Sequence, residues 1–162
     1  MSTTQFIAHR GNTHGPQPTF ENQIQYLLHA YDECGAIECD IQTYNGQLYF
    51  GHDDPQEIVS PDLIMQDNWF CHAKDLESLG TLLDMGAHCF WHQQDTVTLT
   101  SKGYIWCYPK HYPEHERAVW LDFEDSFASM DLVKGWGLCS DRRPAELPPA
   151  QMRSAGVSPF VM

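Results

Sequence analysis

The chain has 162 residues, a length that suits one domain with a real core. Its 9 Lys+Arg against 22 Asp+Glu give a formal net charge of −13, which argues against nucleic acid and anionic membrane surfaces as partners. No apolar run is long enough for a membrane span, and the N-terminal Met-Ser-Thr-Thr-Gln has neither a basic region nor an apolar core, so a cytoplasmic protein is expected.

In chain order, β-rich apolar runs predict strands at Gln5–His9, Ala36–Gln42, Leu48–His52, Trp69–Ala73, His88–His92, Tyr104–Tyr108, Ala118–Phe123 and Gly137–Cys139. Two connectors have helical spacing. Glu21–Cys34 carries Ile24, Leu27, Leu28 and Tyr31 and stops at Gly35; Leu76–Met85 carries Leu76, Leu79, Leu82 and Leu83 and stops at Gly86. The later connectors are too short for full helical crossovers, and the Pro-rich tail from Arg143 to Met162 reads as irregular wrapping. The six cysteines form no C-x-x-C pair and mostly sit in apolar runs, so they read as reduced core thiols.

The chemistry concentrates in the first third. His9-Arg10-Gly11, Glu21-Asn22, Glu38-Cys39-Asp40 and Gly51-His52-Asp53 follow one another at short intervals. Carboxylates at i and i+2 of a strand share a face, so Glu38 and Asp40 are placed to grip one hard cation. Two histidines near such a cation suit phosphate-ester cleavage, with His9 and His52 as base or nucleophile and as acid. Arg10 matches phosphate oxygens in geometry and charge. Gln42-Thr43-Tyr44-Asn45-Gly46-Gln47 signals a hairpin. A two-residue Asn45-Gly46 turn would set position 52 opposite 39, whereas a three-residue Tyr44-Asn45-Gly46 loop sets it opposite 38. The proposed chemistry selects the latter, bulged form.

These segments resemble the glycerophosphodiester phosphodiesterase family, within the phospholipase-C-like phosphodiesterases. QFIAHRGN is similar to its first strand, PTFENQ to its Pro-Glu-Asn motif, AIECD to its E-x-D strand and LYFGHDD to its His-Asp strand. The resemblance is close over residues 5–54 and weak afterwards. It implies a TIM-type (β/α) barrel, but such barrels usually need about 250 residues. The expected fold is therefore a compact, eroded α/β barrel in a single domain over 1–162, with several outer helices shortened or missing. Where the family commonly carries Glu-x-Lys, this chain has His72-Ala73-Lys74. His72 then stands in the place of a third metal-binding carboxylate, or else touches phosphate. The implied cofactor is one divalent cation, Mg²⁺ or Ca²⁺, with Mn²⁺ or Zn²⁺ favoured if His72 is a ligand. Arg10, Glu21, Lys74, His92 and Trp106 are expected on the substrate side, and Asp141 resembles part of the family's closing segment. The expected activity is hydrolysis of a glycerophosphodiester or a related sugar or lipid-headgroup diester. The alternatives are a degenerate barrel that binds without turnover and a protein whose histidines are only metal ligands.

Overall fold

The computed structural model describes residues 3–145. The strands are β1 (Gln5–His9), β2 (Ile37–Tyr44), β3 (Gln47–Phe50), β4 (Glu57–Ile58), β5 (Trp69–Ala73), β6 (Cys89–Phe90), β7 (Val97–Leu99), β8 (Ile105–Cys107), β9 (His115–Asp122) and β10 (Gly135–Ser140). Three α-helices accompany them: α1 (Ile24–Cys34), α2 (Pro61–Ile64) and α3 (Leu76–Met85). All ten strands belong to one mixed sheet, curled into a half-barrel. Its parallel strands follow the order β6-β5-β2-β1-β10-β9-β8, with antiparallel β3–β4 branching from the end of β2 and antiparallel β7 bordering β8. Among the described residues no ladder joins β6 to β8.

This corrects the expected eroded TIM-type barrel. A helix-flanked barrel needs a helical crossover after nearly every strand. Here residues 108–114 join β8 to β9 with no helix, residues 123–134 join β9 to β10 with only a 3₁₀ turn at Met130–Leu132, and β7 stands where a helix would follow β6. Among the described residues, helices cover only the β1, β2, β5 and β6 side. The Pro-rich tail lies mostly outside the described residues.

Period-two alternation places the core on both faces. Toward the helices point Phe6 and Ala8 of β1, Ile37, Cys39 and Ile41 of β2, Trp69, Cys71 and Ala73 of β5, and Cys89 of β6, packed with Leu27, Ala30, Ile64 and Leu82. The concave face carries Ile7, Phe70, Phe90, Trp106, Val119, Leu121 and Cys139. There the Phe90 and Trp106 ring centroids lie 4.5 Å apart and those of Phe70 and Trp106 5.3 Å apart. Each such aromatic burial is worth roughly 1.5–3 kcal/mol. On the far outer face, loops cover β8–β10 through Tyr112 and Phe127 against Trp120. All six cysteines are free thiols.

The hairpin departs from its expected form. Thr43 pairs with Leu48 and Tyr44 with Gln47, so the loop is the two-residue Asn45-Gly46 turn. Both residues have positive φ, 50° and 73°, as the tight primed turn requires. The twist of the flanking strands favours this turn, and the expected bulge is absent.

One buried titratable group lies deep in the concave face. His88 is 5% exposed, its Nε2 is 2.7 Å from Thr100 Oγ1, and its ring centroid is 4.4 Å from that of Phe70. Burial, and then the charge of Lys102, push its pKa down to about 4. The neutral imidazole is thus the folded form. Its contribution to stability is complete above the unfolded value near 6.5 and is lost as pH falls from there through about 4. His88→Gln should therefore flatten the acid limb of a melting-temperature profile between those pH values. A limb identical to that of the parent would remove this assignment.

Candidate metal and phosphate site

The strand alternation that builds the core also assembles a polar cluster at one end of it. Glu38 and Asp40 of β2 and His72 of β5 point to the concave face, opposite Cys39 and Cys71. Ala8 and His9 pair with Ile37 and Glu38, while Asp40 pairs with His72, so three neighbouring strands deliver these side chains to one level.

Glu38 and Asp40 are 2% and 1% exposed. One ligand atom from each of Glu38, Asp40 and His72 lies within 4.8 Å of the others. His72 Nδ1 is 3.4 Å from Asp40 Oδ1 and 3.7 Å from Glu38 Oε2. Its ring is stacked on Phe90 at 4.8 Å, which fixes that orientation. Asp40 Oδ1 is buried and makes no hydrogen bond among the described residues. An unsatisfied buried carboxylate oxygen, facing a second carboxylate and an imidazole nitrogen, fits a divalent cation. The mixed nitrogen and oxygen set favours Mn²⁺ or Zn²⁺ over Mg²⁺ or Ca²⁺.

The other oxygen of Asp40 is held firmly. Asn22 Nδ2 donates to Oδ2 at 2.9 Å, and the Asp40 N–H donates back to Asn22 Oδ1 at 2.9 Å. Arg10 Nε lies 3.0 Å from the same Oδ2, in ion-pair contact but outside hydrogen-bond alignment. Burial alone would raise the Asp40 pKa; His72, Arg10 and Asn22 outweigh it and hold the carboxyl well below its usual range. Glu38 goes the other way, raised first by burial and then by the charge of Asp40.

His9 is oriented by a residue far along the chain. Its Nδ1 is 2.7 Å from Asp141 Oδ1, just past β10, and its Nε2 faces Glu38 Oε1 at 3.8 Å. Asn12 Nδ2 donates to Asp141 Oδ1 at 2.9 Å and to Glu21 Oε2 at 3.0 Å. Burial would lower the His9 pKa, but Glu38 and then Asp141 outweigh it and leave the pKa above the ordinary value.

Arg10 follows β1 with φ 55°, a conformation costly for a residue with a side chain. The Arg10 N–H donates to the Glu38 carbonyl at 2.9 Å, and its own carbonyl accepts from the Asn22 N–H at 3.1 Å. These bonds hold the strained turn and lock the His-Arg-Gly and Glu-Asn segments together. Arg10 Nη1 donates to Glu21 Oε1 at 3.3 Å.

Two cavities meet at Arg10. The first, about 330 Å³, is lined by His9, Arg10, Glu38 and His72 with Asp141, and by Trp106, Tyr108, Leu121 and Phe123 on its opposite wall. The second, about 270 Å³, is lined by Arg10, Glu21, Asn22, His52, Asp53 and Asp54, with Pro18 and Gln56. The expected residues therefore divide. His9, Arg10, Glu38, His72 and Trp106 share one cavity, with Asp40 buried behind it; His52 and Glu21 border the other. Lys74 and His92 line neither, although the His92 ring stacks on Tyr108 at 3.6 Å.

His52 lies in the second cavity because of the tight hairpin. With Thr43 opposite Leu48, position 52 falls opposite 39 rather than 38. The ladder ends at Phe50, and Gly51, at φ 147°, turns the chain where an added Cβ would strike the Asp54 carbonyl. His52 Nδ1 instead lies 2.8 Å from Asp53 Oδ1.

Phe123 and Leu121 were not expected in the site. Period-two continuation of the Val119, Leu121, Phe123 alternation is the signal that would have found them. Compared with protein-family models, curated proteins and solved structures, the chain matches none. No helix among the described residues is long and apolar enough to cross a membrane.

Proposed function

We propose that this protein is a metal-dependent phosphodiester hydrolase acting on a glycerophosphodiester or a related small diester, in the manner of the family its first third resembles. The observation that carries the reading is the convergence of buried Glu38, half-buried His72 and, just behind them, buried Asp40 at the cavity that also holds His9 and Arg10. A bound divalent cation would neutralise phosphate charge there and strengthen the electrophile. Arg10, between the two cavities, is the group for the non-bridging oxygens. His9, its tautomer fixed by Asp141, exchanges a proton at Nε2 on one side; His52 stands on the other side of Arg10 for the complementary transfer. Six free thiols support a cytoplasmic setting.

A second reading, a phosphodiester- or metal-binding protein without turnover, is favoured by one observation: His52 lies outside the His9 cavity. The deciding assay is turnover of bis(p-nitrophenyl) phosphate and of glycerophosphodiesters with Mg²⁺, Ca²⁺, Mn²⁺ and Zn²⁺ in turn. Activity should vanish with chelator and return with metal. Full activity in excess chelator would sink the metal-dependent reading, and metal binding without turnover of any diester would leave the binding protein.

A further inference from the structure

The first cavity is chemically two-sided. Its polar half comes from β1, β2, β5 and the residue after β10. Its other half comes from β8 and β9 with their ends, and carries Trp106, Tyr108, Leu121 and Phe123. Trp106 is buried against Phe90 and rigid, while Phe123 is 42% exposed at the rim with its ring 4.7 Å from that of His9. A glycerol or sugar arm needs hydroxyl partners, and this wall supplies aromatic faces instead. One polar atom does stand there. The Tyr108 hydroxyl is buried and, among the described residues, has no hydrogen-bond partner, and its ring is held against His92. A donor left unmade in such a place is costly unless a ligand oxygen completes it. At about 330 Å³ the cavity is at the small end of ligand pockets, which run from roughly 300 to 1,000 Å³, so it suits a single ring and not an acyl chain. On the far side of Arg10 the second cavity is polar, bordered by Glu21, Asn22, His52 and Asp54.

We infer that the substrate is an asymmetric phosphodiester: one alcohol carries a single aromatic or comparably compact apolar ring seated against Trp106, Tyr108, Leu121 and Phe123, and the other is a polar alcohol on the His52 side. The inference rests on the phosphodiester reading and names its substrate class. Tyr108 is the specificity-determining residue, its hydroxyl donating to an oxygen of the ring-bearing half. Trp106 is the fixed wall and Phe123 the outer one.

The test is calorimetric titration of the full chain, with Mn²⁺ present, with phenyl phosphate, methyl phosphate and glycerol 3-phosphate as product-like probes. Phenyl phosphate should bind roughly tenfold tighter than either of the others, the scale expected for burying one ring. Phe123→Ser should bring the three close to equality. Tyr108→Phe, which keeps the ring, should weaken phenyl phosphate several-fold; both variants should melt near the parent. Equal affinities in the parent, or a phenyl advantage untouched by both substitutions, would overturn the assignment. Turnover of bis(p-nitrophenyl) phosphate and of glycerophosphodiesters is measured on the same preparation. Ring preference without any turnover supports the pocket assignment and removes the hydrolase reading. Brisk turnover of glycerophosphodiesters with no ring preference does the reverse.

Discussion

Replacing His9 with alanine should slow diester turnover by about 10²–10⁴-fold, the usual worth of a positioned proton-transfer group. The geometry points to a rate effect and not to a binding effect. His9 Nδ1 is committed to Asp141 at 2.7 Å, so Nε2 is the nitrogen left to meet substrate, and the proposed cation ligands Glu38, Asp40 and His72 remain in the variant. Metal affinity should therefore change little. Asp141→Asn provides the finer control. An asparagine can present its NH₂ to Nδ1 and select the wrong tautomer, so this variant should also lose rate, with the metal still bound. His52→Ala tests the opposite side of Arg10. If both histidines act in one reaction sequence, His9→Ala with His52→Ala should be far less damaging than the product of the single effects. Steady-state turnover and metal titration, measured side by side on the parent, the three single variants and the double histidine variant, check the whole set. A parent that turns over and a His9→Ala variant slowed by less than tenfold would exclude His9 as the proton carrier.

Much of this cluster was legible in the chain because its signals are local. Glu38 and Asp40 share a face by strand period alone, and the burial of Cys39, Cys71 and Cys89 beneath the helices follows from the same rule. The strands β1 and β5 and the helix α3 match their expected bounds, since their apolar spacing and flanking stop signals agree. The errors arose where long-range pairing decides. The later connectors are indeed too short for helical crossovers, but that shortness implies an open half-barrel in which β7 and the loops replace helices, not a barrel with thinner walls. The bulged hairpin that the chemistry at His52 favours runs against the ordinary preference of Asn-Gly; the backbone follows Asn45 and Gly46, and His52 goes to the second cavity with Gly51 as pivot. The Asp141 partnership with His9 spans 132 residues and carries no local pattern that spacing could reveal.

The two buried carboxylates should respond in opposite ways when neutralised, although both belong to the proposed metal site. Glu38 carries a charge the fold disfavours: burial and the neighbouring Asp40 charge raise its pKa, and its closest imidazole nitrogens stand 3.7 and 3.8 Å away. Glu38→Gln removes that cost at nearly equal volume, so the metal-free protein should melt higher than the parent. Asp40 is the reverse case. Its carboxylate is pinned by one hydrogen bond from Asn22 Nδ2, backed by the Asp40 N–H donating to Asn22 Oδ1, and by Arg10 at 3.0 Å, so Asp40→Asn leaves the half-buried guanidinium without its nearest buried anion. The metal-free variant should melt lower, consistent with the loss of a charge that the fold favours. Addition of Mn²⁺ at about 100 times its Kd should stabilise the parent by about 2.7 kcal/mol, which for a domain of this size is a rise of roughly 5–11 °C. Both variants should lose most of that rise, because each removes one of the three ligands. Thermal melts with and without Mn²⁺, after exhaustive chelation, separate the two quantities. A Glu38→Gln protein that melts lower than the parent yet keeps the full metal-induced rise would show that Glu38 supports the fold and holds no metal.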